Sequence, residues 1–162
     1  MFIYSIRAST LKFFLCIVLC VAVLIALLTV GSTQTVYASA NGREINYGGI
    51  KTNEDRVAFI EGFGIKVKPE PVSEETFTMP EDFDRVIHGY NQIQKTQGLD
   101  LTRYGRKRVT HYAYEVTNYD LDGTVYVNLL VYKSRIIAAD ISSTHGDGFI
   151  SSLTEFDTSK LK

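Results

Sequence analysis

Hydrophobic and polar positions fall into three regimes along the chain. Phe13 to Val30, FFLCIVLCVAVLIALLTV, is an unbroken apolar run of 18 residues, uncharged and with only Thr29 polar. As a helix rising about 1.5 Å per residue it extends roughly 27 Å, close to the ~30 Å hydrocarbon core of a bilayer. Lipid offers backbone amides no partners, so a spanning segment is expected to be a helix, which satisfies its own. Gly31 to Gly49 is rich in Ser, Thr, Gly, Ala and Asn without apolar periodicity, and reads as a tether. Residues 50–162 then suffice for one core of ordinary domain size.

Within that last regime the apolar spacing switches between helical and strand periods. Thr52 and Asp55 make a capping-box pattern, Val57, Phe59, Ile60 and Phe63 give a helical stripe, and Gly64 ends it. Ile65–Lys68 alternates like a short strand stopped by Pro69 and Pro71. Thr76–Met79 reads as its partner or as an edge strand. Pro80 is expected to open a second helix, with Glu81, Asp82 and Asp84 in its first turn. Phe83, Val86, Ile87, Tyr90 and Ile93 would face the core, and Gly98 would end the helix. Leu99–Lys107 is a loop.

Val109–Tyr119, Thr124–Tyr132 and Ile136–Ile141 are rich in Val, Ile, Tyr and Thr and read as strands. With Asp120–Gly123 as a four-residue turn, Tyr112, Tyr114, Val116 and Asn118 lie opposite Val131, Leu129, Val127 and Val125. That register gathers an aliphatic stripe on one face. His111, Ala113, Glu115 and Thr117 share the other face with Tyr132, Leu130, Asn128 and Tyr126. A three-residue loop, Lys133–Arg135, would set Asp140 beside Asn128; a two-residue loop would move it to the core face. Hydrophobicity favours the longer loop, which buries Ile137, Ala139 and Ile141. The expected fold is α+β: an N-terminal transmembrane helix, then a small two-layer domain with two helices on one face of a mainly antiparallel sheet.

Charge sets the expected orientation. Arg7 and Lys12 are the only charges before Val30, and both are positive. The positive-inside bias makes residues 1–12 cytoplasmic, 13–30 a signal anchor in the lipid bilayer, 31–49 a linker and 50–162 an extracytoplasmic domain. A competing reading is secretion after cleavage near Ala40, within Ala38-Ser39-Ala40. Against it, the apolar run exceeds the ~7–15 residues usual for a signal-peptide core. Cys16 and Cys20 both lie in the apolar run, so the exported part has no thiol and no disulfide. The 162 residues are 45% hydrophobic and 22% charged with a net charge of −1, unlike a disordered chain or a polybasic nucleic-acid binder. From Asn41 onward 15 Lys and Arg face 18 Asp and Glu, so the cluster Arg103, Arg106, Lys107 and Arg108 reads as a solvated loop, not a polyanion site.

No motif fixes a chemistry, a metal or a cofactor. His88, His111 and His145 lack metal-ligand spacing. Ser142–Gly148 holds hydroxyls, His145 and Asp147, but reads as a turn. Glu115, Asn128 and Asp140 would form a polar row with carboxylates ~9.5 Å apart, near the separation used by inverting glycosidases; a solvated sheet face gives the same pattern. His111, Tyr126, Asn128 and Tyr132 are the candidate binding residues, since their outer face would leave aromatic area for a protein partner.

The strings MFIYSIRASTLKFF, GIKTNEDRVAFIEGFG, MPEDFDRVIHGYNQIQKTQGLDLTRY, YAYEVTNY, VNLLVYKSRIIAADI and GFISSL resemble domain of unknown function 4830, a family of Gram-positive bacteria. This chain has Ser134, Ala138 and Ala139 where similar proteins have glycines. The resemblance implies a cell-surface setting and one small α+β domain. It implies no catalytic or binding residue, because the family has no assigned activity. The expected function is a membrane-anchored, extracytoplasmic binding or interaction module. The rivals are a cell-envelope hydrolase using Glu115 and Asp140, or His145, and a structural subunit of a membrane complex.

Overall fold

Strand runs close in sequence pair as neighbours and build a meander. The computed structural model describes residues 37–40, 43–119, 123–143, 146 and 148–162. β1 (Tyr37–Ala40) and β2 (Arg43–Asn46) form a separate antiparallel pair. β3 (Ser73–Thr78), β4 (Arg108–Glu115), β5 (Val125–Tyr132), β6 (Arg135–Ser143) and β7 (Phe149–Ser152) form a five-stranded antiparallel sheet in that order. Helices α1 (Asn53–Glu61) and α2 (Arg85–Lys95) pack on it, giving an α+β unit that spans Thr35–Lys162. Among the described residues no helix is long and apolar enough to cross a membrane; the run 13–30 lies outside them.

The first helix forms as its local chemistry dictates. Thr52 Oγ1 accepts from the Asp55 amide, and Asp55 Oδ2 accepts from the amides of Thr52 and Lys51, so the helix's free donors are met by a reciprocal box. The second helix starts later than expected. Asp84 is the N-cap, accepting from the Ile87 amide at 2.8 Å, so the first helical residue is Arg85 and not Pro80. Met79 and the segment after it are instead tied to the loop before β4, through Met79 N to Lys107 O and Arg106 N to Met79 O. The inward face also differs. Val86 is 77% exposed, whereas Asn91 and Gln94 are buried. Asn91 earns its burial by accepting from the Leu101 amide and donating to Asp100.

The two helices serve opposite faces of the sheet, so the single-face, two-layer expectation is corrected. Ile60 of α1 packs with Tyr114, Val125, Val127, Leu129, Ala139 and Ile141. Tyr90 of α2 packs with Leu130, Ile137 and Ala138, whose side chains stand on the other side. Both faces of the central strands are therefore covered.

The β4–β5 register is two residues away from the one expected. Tyr112 faces Leu129 and Tyr114 faces Val127. A shift of two keeps every side chain on its face, so the aliphatic stripe survives. The turn is longer because Thr117 and Asn118 have other partners. Thr117 N donates to Lys66 O. Asn118 accepts from Lys66 N at 2.8 Å and donates to Gly64 O at 3.1 Å. Residues 66–68 thus extend the β3 edge along β4, with Val67 opposite Val116; of the two readings offered for Thr76–Met79, the edge strand holds, with bounds Ser73–Thr78.

The β5–β6 turn has two residues, Lys133 and Ser134, both with positive φ (45° and 59°). Such a turn matches strand twist. It should have sent Asp140 to the aliphatic face, yet Asp140 pairs with Asn128. A register shift between Leu130 and Val131 resolves the conflict: Ile137 is the extra residue of a bulge.

The outer edge of β6 is covered piecewise. Residues 47–50 take its start, through Ile136 N to Tyr47 O and Ile50 N to Ser134 O. β7 takes its end, from Asp140 to Ser143. Between them Ala139 has no strand partner on that side. Gln94 Oε1 accepts from Ala139 N at 2.8 Å, and Gln97 Nε2 donates to Ala139 O and to Gln94 Oε1. Two helix glutamines therefore stand in for a strand. The expected tether is also shorter than proposed, since Tyr47 is fully buried, with its hydroxyl donating to Gln97 O at 2.9 Å.

Gln94→Leu should leave the Ala139 amide unpaired and cost about 1–3 kcal/mol. Urea unfolding measures the loss, and hydrogen exchange should accelerate at Ala139 more than at Leu129.

Candidate functional site

The bulge that brings Asp140 beside Asn128 buries a carboxylate on the α2 face, where it is 2% exposed. A buried carboxylate needs donors. Tyr90 Oη donates to Oδ1 at 2.7 Å and Asn128 Nδ2 donates to Oδ2 at 2.8 Å. Asn128 Nδ2 also donates to Ser142 Oγ at 2.9 Å. The Asn128 amide is thereby oriented with Oδ1 toward His111 Nε2, 3.1 Å away. That nitrogen must carry the proton, because an amide oxygen only accepts.

The electrostatics follow from burial. Desolvation pushes the Asp140 carboxyl above the ordinary carboxylate value, while hydrogen bonds from Tyr90 and Asn128 and the nearby His111 pull it back in part. Desolvation, reinforced by the adjacent Asp140 charge, pushes the Tyr90 phenol well above its ordinary value. Both oxygens of Asp140 are engaged by protein donors, which tie the helix to the sheet.

The sequence-based candidates are only partly brought together. His111 and Asn128 join the network. Tyr126 stands in the neighbouring row between Glu115 and Ser142, half-buried. Tyr132 lies apart at the hairpin tip, its ring edge-on to Tyr104 at 5.7 Å and under Lys133 at 5.4 Å. The polar row containing Glu115 does not form. The two-residue register shift sets Ala113 opposite Asn128, and Glu115 pairs with Lys68 at 2.8 Å instead. Thr144, His145 and Asp147 lie outside the described residues. Among the described residues no three His, Cys, Asp or Glu are grouped to hold a metal ion. Arg103, Arg106, Lys107 and Arg108 are exposed, with Arg106 paired to Glu81.

Sequence reasoning missed Tyr90 as the group that meets Asp140. Its signal was present: a tyrosine on an inward helix face carries a hydroxyl that needs a partner. Two grooves were also missed. One, of about 630 Å³, runs between α2 and β7 and is lined by Val86, Ile87, Tyr90, Ile93 and Ile150 with Arg85 and Gly89. The other, of about 520 Å³, lies between β2, α1 and the C-terminal segment. Neither is lined by His111, Asn128 or Asp140. Comparison with family models, with curated proteins and with solved structures finds no match to the chain.

The raised Asp140 pKa has a defined sign. The unfolded chain releases this proton first, so the group's contribution to stability falls as pH rises from the ordinary Asp value through the raised folded one. Asp140→Asn should therefore be most destabilising near pH 4 and progressively less so toward pH 7. Urea midpoints at the two pH values test this; a penalty that grows with pH would contradict it.

Proposed function

We propose that the chain is a membrane-anchored, extracytoplasmic binding module whose partner docks on the α2–β7 groove. The observation that carries the reading is the groove's composition. Val86 is 77% exposed and Ile150 49% exposed, and they stand together beside the sheet's terminal strand. Large apolar side chains exposed side by side mark contact surfaces. An edge strand flanked by such a groove suits an extended polypeptide, which adds backbone hydrogen bonds and inserts alternate apolar side chains. This moves the interaction surface from the Tyr126/Tyr132 face to the other side of α2.

The hydrolase alternative finds less support. Asp140 is enclosed by Tyr90 and Asn128, and Glu115 is held by Lys68. The anchor rests on residues 13–30 and on Arg7 and Lys12. Retention of the segment is favoured by the β1–β2 pairing, because a cut after Ala40 would separate Ala40 from its partner Arg43.

Added protease should digest residues 50–162 in cells with an opened wall and intact membrane; protection of the domain there would remove the extracytoplasmic reading. Photo-cross-linkers at Val86 and Ile150 should capture a polypeptide in intact cells. Val86→Asp with Ile150→Asp should abolish capture by a cross-linker at Ile93 while leaving the melting temperature nearly unchanged, since both side chains are exposed.

A further inference from the structure

The second groove is chemically unlike the first and shares no lining residue with it. Three segments converge on it: β2 with Glu44 and Asn46, α1 and the turn after it with Phe59 and Phe63, and the C-terminal segment with Thr154 and Phe156. Its volume, about 520 Å³, lies in the range of small-molecule sites. Side chains from three separate parts of the chain build its walls. Ala58 of α1 and Gly62, the residue that caps its C-terminus, also line it.

Charge and aromatic content specify what fits. Glu44 is the single charged residue in the lining, is exposed, and makes no ion pair among the described residues. Phe59 and Phe63 meet edge to face at 5.3 Å and 64°, Phe59 also leans on Tyr47 at 5.8 Å, and both half-buried rings line the cleft. Aromatic faces attract cations, and a carboxylate at the mouth adds direct attraction. Anions are disfavoured by the same carboxylate. Asn46 Oδ1 is already occupied by the Gly48 amide, which leaves its Nδ2 as a donor at the rim.

We propose that this cleft binds a small organic ammonium with an apolar body, the cation between Glu44 and the phenylalanine rings and the body against Phe156. The site is independent of the α2–β7 groove, and its failure would leave the reading of that groove intact.

The test is isothermal titration of the full chain in nanodiscs of an uncharged glycolipid, with empty discs as blank. Benzyltrimethylammonium, benzyl alcohol and benzenesulfonate serve as cationic, neutral and anionic probes. The cation should bind saturably and about tenfold more tightly than the alcohol, and benzenesulfonate should not bind. Glu44→Gln should remove that advantage without changing the alcohol's affinity or the melting temperature. Phe63→Leu should weaken the cation more than the alcohol. Equal affinity for all three probes, cation binding unaffected by Glu44→Gln, or no saturable binding at millimolar concentration would each overturn the proposal.

Discussion

A carboxylate taken out of water must find donors, and Asp140 is the place where this fold meets that demand. One of its oxygens is held by a neighbouring strand, through Asn128, and the other by a helix, through Tyr90. The helix therefore has to lie across the same sheet face, at one rotation, with Tyr90 inward. Once α2 is set, Gln94 and Gln97 come to the open stretch of β6 at Ala139 and complete a ladder that β7 is too short to reach. Tyr47 then closes over the helix end by donating to the Gln97 carbonyl. Val86 and Ile93 are left on the flank that faces β7, where Ile150 completes the groove. The shape of that groove is a consequence of how the buried acid is satisfied.

The same logic accounts for the polar cluster around Asp140. His111, Asn128 and Ser142 look like site chemistry because they cluster on a sheet face. Their hydrogen bonds run inward, to one another and to Asp140. Surfaces with spare capacity lie elsewhere, in the apolar groove beside β7 and in the acidic, phenylalanine-lined cleft beside β2. Together these features fit the proposed binding module, on a chain whose residues 13–30 have the sequence expected of an anchor.

What the sequence revealed was local or two-fold periodic. The Thr52–Asp55 box needs only neighbours, and the in/out alternation of β4 and β5 survives any even shift in register. What it concealed depended on distant partners. The β4–β5 register follows from Asn118, whose side chain is claimed by Gly64 and Lys66, more than fifty residues away. The start of α2 was misplaced because Pro80 suits a helix opening as well as Asp84 does, and the bonds of Met79 to Arg106 and Lys107 decide between them. Burial of Gln94 in preference to Val86 reverses the usual hydrophobic order: its Oε1 completes a backbone ladder and so recovers part of the hydrogen bonding lost to water, while its Nε2 is buried without a partner among the described residues. The turn length and the facing of Asp140 were posed as one choice; the bulge at Ile137 made them two.

The most direct measurement of the central claim is a double-mutant cycle between the helix and the sheet, using Tyr90→Phe, Asp140→Asn and the pair in urea unfolding at pH 7. A buried hydrogen bond that locks α2 onto the β5–β6 pair predicts a coupling of about 1–3 kcal/mol. Additive effects, with coupling near zero, would mean that the carboxylate does not hold the helix and that the groove beside β7 does not owe its shape to it.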